Sequence, residues 1–142
     1  MLDSSVPGEF SGALEAGTLR WLERTLADIP ETTPVVIGLH HPPIALGNPA
    51  IDALGLRNPE ELAAVLRSHP NIMATLVGHT HGATVTTFAG SPLIVAPGIH
   101  SGLRLWWEGA EGMLDESVPP GIAIHLVNAH QQRFVTHLRA IS

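Results

Sequence analysis

Between residues 18 and 29 (TLRWLERTLADI) apolar side chains recur at Leu19, Leu22 and Leu26, with Trp21 and Ile29 alongside and charges between them. That spacing predicts an amphipathic helix, ended by Pro30 and Pro34. The pattern then changes. PVVIGLHH (34–41) is a short β-branched run closed by Pro42 and Pro43, the form of a buried strand that ends in a loop. IALGNPAIDALGLR (44–57), rich in Gly and Pro, reads as an irregular connection. NPEELAAVLRSHP (58–70) predicts a second helix, with Asn58 to cap it, Pro59 in its first turn and Glu60 and Glu61 at its positive end. Leu62, Val65 and Leu66 form its apolar stripe. IMATLVGHTHG (72–82) repeats the strand-then-histidine pattern. Strand-like runs follow at 83–88, 92–96, 121–127 and 133–138, while GLRLWWEGAEGMLDESVPPG (102–121) reads as an excursion.

A strand, a crossover helix and a second strand imply a parallel pair with a right-handed connection. Sites in open α/β sheets form beyond the carboxyl ends of such strands. His40 and His41 end the first strand, and His79 and His81 end the second. The two histidine clusters are therefore expected to meet at one sheet edge. Imidazole is a ligand for Zn, Fe and Mn, and a His-x-His turn can aim two rings at one region, even at two ions about 3.5–4 Å apart. Gly78 and Gly82 are expected to take the sharp backbone turns around that pair. Pro42 and Pro43 stiffen the chain just beyond His40. His69, His100, His125, His130 and His137 are expected to be ordinary imidazoles, His125 and His137 as partly buried strand residues.

Composition narrows the classes. The chain has 142 residues, 44% of them hydrophobic and 14% charged, which suits one globular domain or part of one. The net charge is −6 and the seven Lys and Arg are scattered, so no basic patch for nucleic acid is visible. With no cysteine, disulfides and thiolate metal sites are excluded. No apolar run approaches the roughly 20 residues of a membrane span. The start, MLDSSVPGEF, lacks a basic n-region and a long apolar h-region, so a cytoplasmic chain without a signal peptide is expected.

LHHPP followed by GHTH resembles the last two metal-binding motifs of calcineurin-like metallophosphoesterases. IDALGLRNPEELAAVL is similar to the branch with bacterial class III cyclic-nucleotide and glycerophosphodiester phosphodiesterases, and LDSSVPGEFSGALEAGTLRWLERTL resembles the strand and helix that precede the His-x-Pro motif in that branch. The likeness covers nearly the whole chain and weakens after about residue 100. It implies an α/β fold: the second half of a four-layer α/β/β/α sandwich, a mixed sheet with flanking helices. It also implies that His40 and His79 share one metal ion, that His81 binds another, and that His41 lines the substrate pocket. The implied cofactors are two divalent ions, Mn, Fe or Zn. The implied activity is hydrolysis of a cyclic nucleotide or other small phosphodiester, with water attacking phosphorus in line and both ions stabilising the developing charge.

The family's earlier motifs, Asp-x-His, Gly-Asp and Gly-Asn-His, do not occur in residues 1–142. Three neutral imidazoles cannot hold two dications close together without a bridging anion, because the ions repel. The chain therefore reads as the carboxyl-terminal half of a metallophosphoesterase domain, with the catalytic residues expected in the amino-terminal half. Alone it is expected to bind one ion or none, to be little active, and to pair with itself or with that half. Two alternatives stand beside this reading: a non-catalytic assembly module retaining vestigial ligands, and a simple mononuclear histidine site.

Overall fold

The computed structural model describes residues 1–108 and 112–141, so positions 109–111 of the expected 102–121 excursion lie outside the described residues. The first helix, α1, spans Ala16–Ala27 and buries Leu22 and Leu26, while Trp21 stays half exposed. The first strand, β1 (Val35–Gly38), ends just before the first histidine pair. A four-residue helix, α2 (Pro49–Asp52), interrupts the loop expected to be irregular. Its signal was in the sequence. Asn48 accepts hydrogen bonds from the backbone N–H groups of Ala50 (3.1 Å) and Ile51 (3.4 Å), and Pro49 supplies the preset φ of the first turn.

Helix α3 (Pro59–Arg67) follows, with Leu62, Ala63 and Leu66 buried. Asn58 occupies its N-cap position, but its side chain caps nothing there. Instead, Asn58 Oδ1 accepts from Leu14 N–H (3.0 Å) and Asn58 Nδ2 donates to Leu14 C=O (2.9 Å). The expected cap is a cross-link. It ties the amino-terminal segment to the start of α3.

Strands β2 (Ile72–Val77), β3 (Thr84–Phe88) and β4 (Ser91–Val95) complete a four-stranded sheet of order β1-β2-β4-β3. The β1/β2 and β2/β4 pairs are parallel and β3/β4 is antiparallel. Ile37, Leu39, Val77, Leu93 and Val95 bury one face of this sheet together with Leu22, Leu26, Leu62 and Leu66 of the helices. Ala74 and Ile94, at alternate positions, are also buried.

Within the excursion, β5 (Gly102–Leu103) pairs with β6 (Leu114–Asp115), and a 3-10 turn covers Trp106–Glu108. The last two strands, β7 (Gly121–Asn128) and β8 (Arg133–Ala140), form an antiparallel hairpin that touches β2 through β8. His125 and His137 are half-buried on it, as expected. Helices, mixed sheet and hairpin match the expected α/β class with flanking helices, and are compatible with the four-layer sandwich. No helix among the described residues is long and apolar enough to cross a membrane.

Candidate metal centre

The parallel ladder outlasts β1 and β2. Leu39 N–H donates to Leu76 C=O, and Gly78 N–H donates to His40 C=O, both at 3.1 Å. Those two bonds carry the strand ends side by side into their loops and set His40 next to the 78–82 turn. There His79 and His81 hold left-handed φ values of 70° and 59°, whereas neither Gly78 nor Gly82 has a positive φ. The expectation that the glycines take the sharp turns is corrected. Strain of order 1–3 kcal/mol sits on the histidines themselves, as at many functional sites. Gly82 answers a packing need instead, since a Cβ there would lie 2.9 Å from Leu103 Cβ.

His40 Nε2 and His79 Nδ1 are 3.2 Å apart. Two ligands at about 2.0–2.1 Å from a tetrahedral ion would be separated by about 3.3 Å, so the pair is spaced to share one. His79 Nε2 is buried and has no hydrogen-bond partner in the structure. That nitrogen lies on the far side of the ring from the pair, so the fit to a divalent ion rests on the spacing and donor type of His40 Nε2 and His79 Nδ1.

His41 stands against both rings, with centroids 4.9 Å from His40 and 4.7 Å from His79. One nitrogen from each of His40, His41 and His79 can be chosen within 4.8 Å of the others. Proximity is misleading for His41, however, because both its nitrogens are engaged. Nδ1 lies 2.8 Å from Ser4 Oγ, and Nε2 lies 3.1 Å from the Phe10 carbonyl. His81 stays outside this cluster of three, its Nδ1 being 2.9 Å from the buried Ser101 hydroxyl. Gly98 seats it: a Cβ at 98 would lie 2.8 Å from His81 Cβ and would collide with the Ser101 carbonyl. Among the described residues, no Asp or Glu joins the cluster.

Burial, followed by the neighbouring His41, His40 and His81 imidazoles, pushes His79 down to about 4. Burial and His40 also lower His41, against the raising effect of its bond to the Phe10 carbonyl. His79 is therefore neutral through mildly acidic pH, the state a ligand needs. The sequence reading missed Ser4, Phe10, Gly12, Gly98 and Ser101. No local pattern could have shown them, since the hydrogen-bonded partners lie 20 to 37 positions away.

Two histidine-bearing loops thus meet at adjacent parallel strand ends, with one nitrogen pair at metal-ligand spacing. Known proteins resemble this chain. The chain is 30% identical to a glycerophosphodiester phosphodiesterase of Enterobacter lignolyticus, over 87% of this chain and 44% of the relative. It is 34% identical to a cAMP/cGMP dual specificity phosphodiesterase of Mycobacterium tuberculosis, over 89% and 42%. A third match, the 3',5'-cyclic adenosine monophosphate phosphodiesterase of Escherichia coli K12, is 39% identical over 68% and 35%. Among solved structures, a dimetal phosphatase from Danio rerio superposes with a TM-score of 0.50 at 26% identity, covering 61% of this chain and 28% of that one. No family model matches. The chain is a homologue of bacterial cyclic-nucleotide and glycerophosphodiester phosphodiesterases and shares the calcineurin-like fold. It spans less than half the length of these curated relatives.

Proposed function

We propose that this chain supplies the histidine side of a dinuclear metal centre that hydrolyses small phosphodiesters, 3',5'-cyclic nucleotides among them. The observation that carries the reading is the 3.2 Å separation of His40 Nε2 and His79 Nδ1 at the ends of two paired strands. His40 and His79 hold one divalent ion, and His81 holds the second through Nε2, the nitrogen left open by its bond to Ser101. Such ions, when bound, supply Lewis acidity toward a phosphoryl oxygen and lower the pKa of water. The chain's own contribution is to fix the rings: left-handed backbone holds His79 and His81, and the buried Ser101 hydroxyl and close packing against Gly98 seat His81.

The absence of a carboxylate from the described cluster favours a bridging group from elsewhere. We assign that group to the portion of the relatives that this sequence does not cover. The same portion, or a second copy, would cover the outer face of the β7–β8 hairpin, where Ile122, Ile124 and Leu126 are 41%, 44% and 54% exposed. It would also fill an apolar groove of about 470 Å³ that runs from Val36 and Leu76 to His40.

Hydrolysis of bis(p-nitrophenyl) phosphate with added Mn²⁺ tests the reading. The isolated chain should barely exceed the metal-only background. A turnover on the order of 1 s⁻¹, ordinary for an enzyme, would show that the chain needs no further residues. Light scattering tests the association, which a monodisperse 15.0 kDa species at micromolar concentration would contradict.

A further inference from the structure

Residues 1–14 cross the carboxyl end of the sheet as a strap. Leu2 N–H donates to Gly38 C=O (2.7 Å), and Ala13 N–H donates to Ser4 C=O (3.0 Å). Gly12 N–H reaches Gly55 C=O (3.1 Å), and Arg57 N–H returns to Gly12 C=O (2.9 Å). Asn58 holds Leu14 at both its backbone groups. Everything this strap aims at the histidine cluster goes to one ring, that of His41.

The Phe10 contact fixes the tautomer of that ring. The Phe10 carbonyl can only accept, so His41 Nε2 carries the proton and donates to it at 3.1 Å. The Ser4 hydroxyl accepts from the backbone N–H of His41 at 3.4 Å and, in the Nε2–H tautomer, donates its own proton to His41 Nδ1 at 2.8 Å. Ser4 and His41 are 1% and 5% exposed, so water competes little for these bonds. Gly12 closes the third side, since any Cβ there would overlap the His41 ring.

We propose that His41 binds no metal and is instead a positioning residue, held by its hydrogen bonds to Ser4 and Phe10 so that its ring walls the His40–His79 pair at ligand spacing. This rests on the assignment of an ion to His40 and His79. It assigns a function to the strap that proximity alone would miss, because by distance His41 is the third ligand of the cluster. Engaging His41 in coordination would require giving up the Ser4 or the Phe10 bond. In metal sites, outer groups of this kind orient ligands, and their loss commonly weakens binding by 10–100-fold.

Nitrogen-detected NMR of ¹⁵N-histidine-labelled chain, titrated with Zn²⁺, separates the possibilities. Before metal is added, His41 should show one tautomer, protonated at Nε2. On adding Zn²⁺, the His40 Nε2 and His79 Nδ1 resonances should move to the metal-bound range while His41 keeps its tautomer. Movement of His41 Nδ1 or Nε2 to that range would overturn the proposal and leave the metal site standing. No change at His40 or His79 would overturn both, since nothing would remain to position. Calorimetry on Ser4→Ala gives a second readout. A positioning role predicts a Zn²⁺ affinity about tenfold weaker. An unchanged or tighter affinity, expected if Nδ1 were freed to ligate, would overturn it, and the wild-type spectra decide the matter if that variant does not fold.

Discussion

Replacing Asn58 by Asp separates two roles that the same residue could fill. As a helix cap, Asp is as good as Asn, and Asn→Ala costs about 1 kcal/mol. As the cross-link seen here, Asn58 must donate through Nδ2 to the Leu14 carbonyl as well as accept from its N–H. Asp cannot donate, so a carboxylate oxygen would face that carbonyl where a 2.9 Å hydrogen bond now stands. Leu14 is 3% exposed, so water does not readily replace the missing donor. Leaving one buried acceptor unsatisfied costs about 1–3 kcal/mol, and Asn58→Ala, which orphans both groups, should cost about 2–4 kcal/mol. Urea unfolding followed by circular dichroism measures both. With m of about 1–3 kcal/mol/M for a small protein, Asn58→Asp should lower the midpoint by roughly 1 M at unchanged m. An Asn58→Asp variant within about 0.5 kcal/mol of wild type, beside an Asn58→Ala variant about 1 kcal/mol below it, would return Asn58 to the role of a cap.

Three further outcomes are expected. His40 is exposed, so His40→Ala should leave the unfolding midpoint within about 0.5 kcal/mol of wild type. The same variant should lose Zn²⁺ affinity by more than the 10–100-fold typical of an outer group, as calorimetry would register. Stability without metal should fall as pH drops. His79 and His41 have pKa values lowered in the folded state, His79 to about 4, so the unfolded chain binds more protons below pH 6.5. Their contribution is complete above pH 6.5 and is lost progressively toward pH 4, with a slope for His79 well under 1.4 kcal/mol per pH unit because that ring is partly exposed. Chemical unfolding in chelator-treated buffer from pH 7.5 to 4.5 measures it, and His79→Ala should flatten the curve.

The elements that position the site were legible because their patterns are periodic. The β-branched runs before each histidine pair gave β1 and β2, and Leu62 and Leu66 gave α3, so the parallel pair and its shared edge followed. The Asn48–Pro49 start of α2 was equally readable but lay inside a Gly- and Pro-rich stretch that argued for irregularity. The left-handed φ of His79 and His81 could not be read, since propensity places that conformation on glycine and here it falls on the two histidines instead. The strap could not be read either. Residues 1–14 have no periodicity, and Ser4 means nothing until the fold brings it to His41, 37 positions away. Asn58 shows the limit within a correct prediction: the helix it precedes is present, yet a partner 44 residues distant takes its side chain.

Anomalous diffraction from crystals of the chain soaked in Mn²⁺ tests the metal assignment most directly. A peak within about 2.0–2.3 Å of both His40 Nε2 and His79 Nδ1, with His41 still bonded to Ser4 and Phe10, is the predicted result. A peak held by other residues, or none at millimolar Mn²⁺ with the two histidines well ordered, would contradict it.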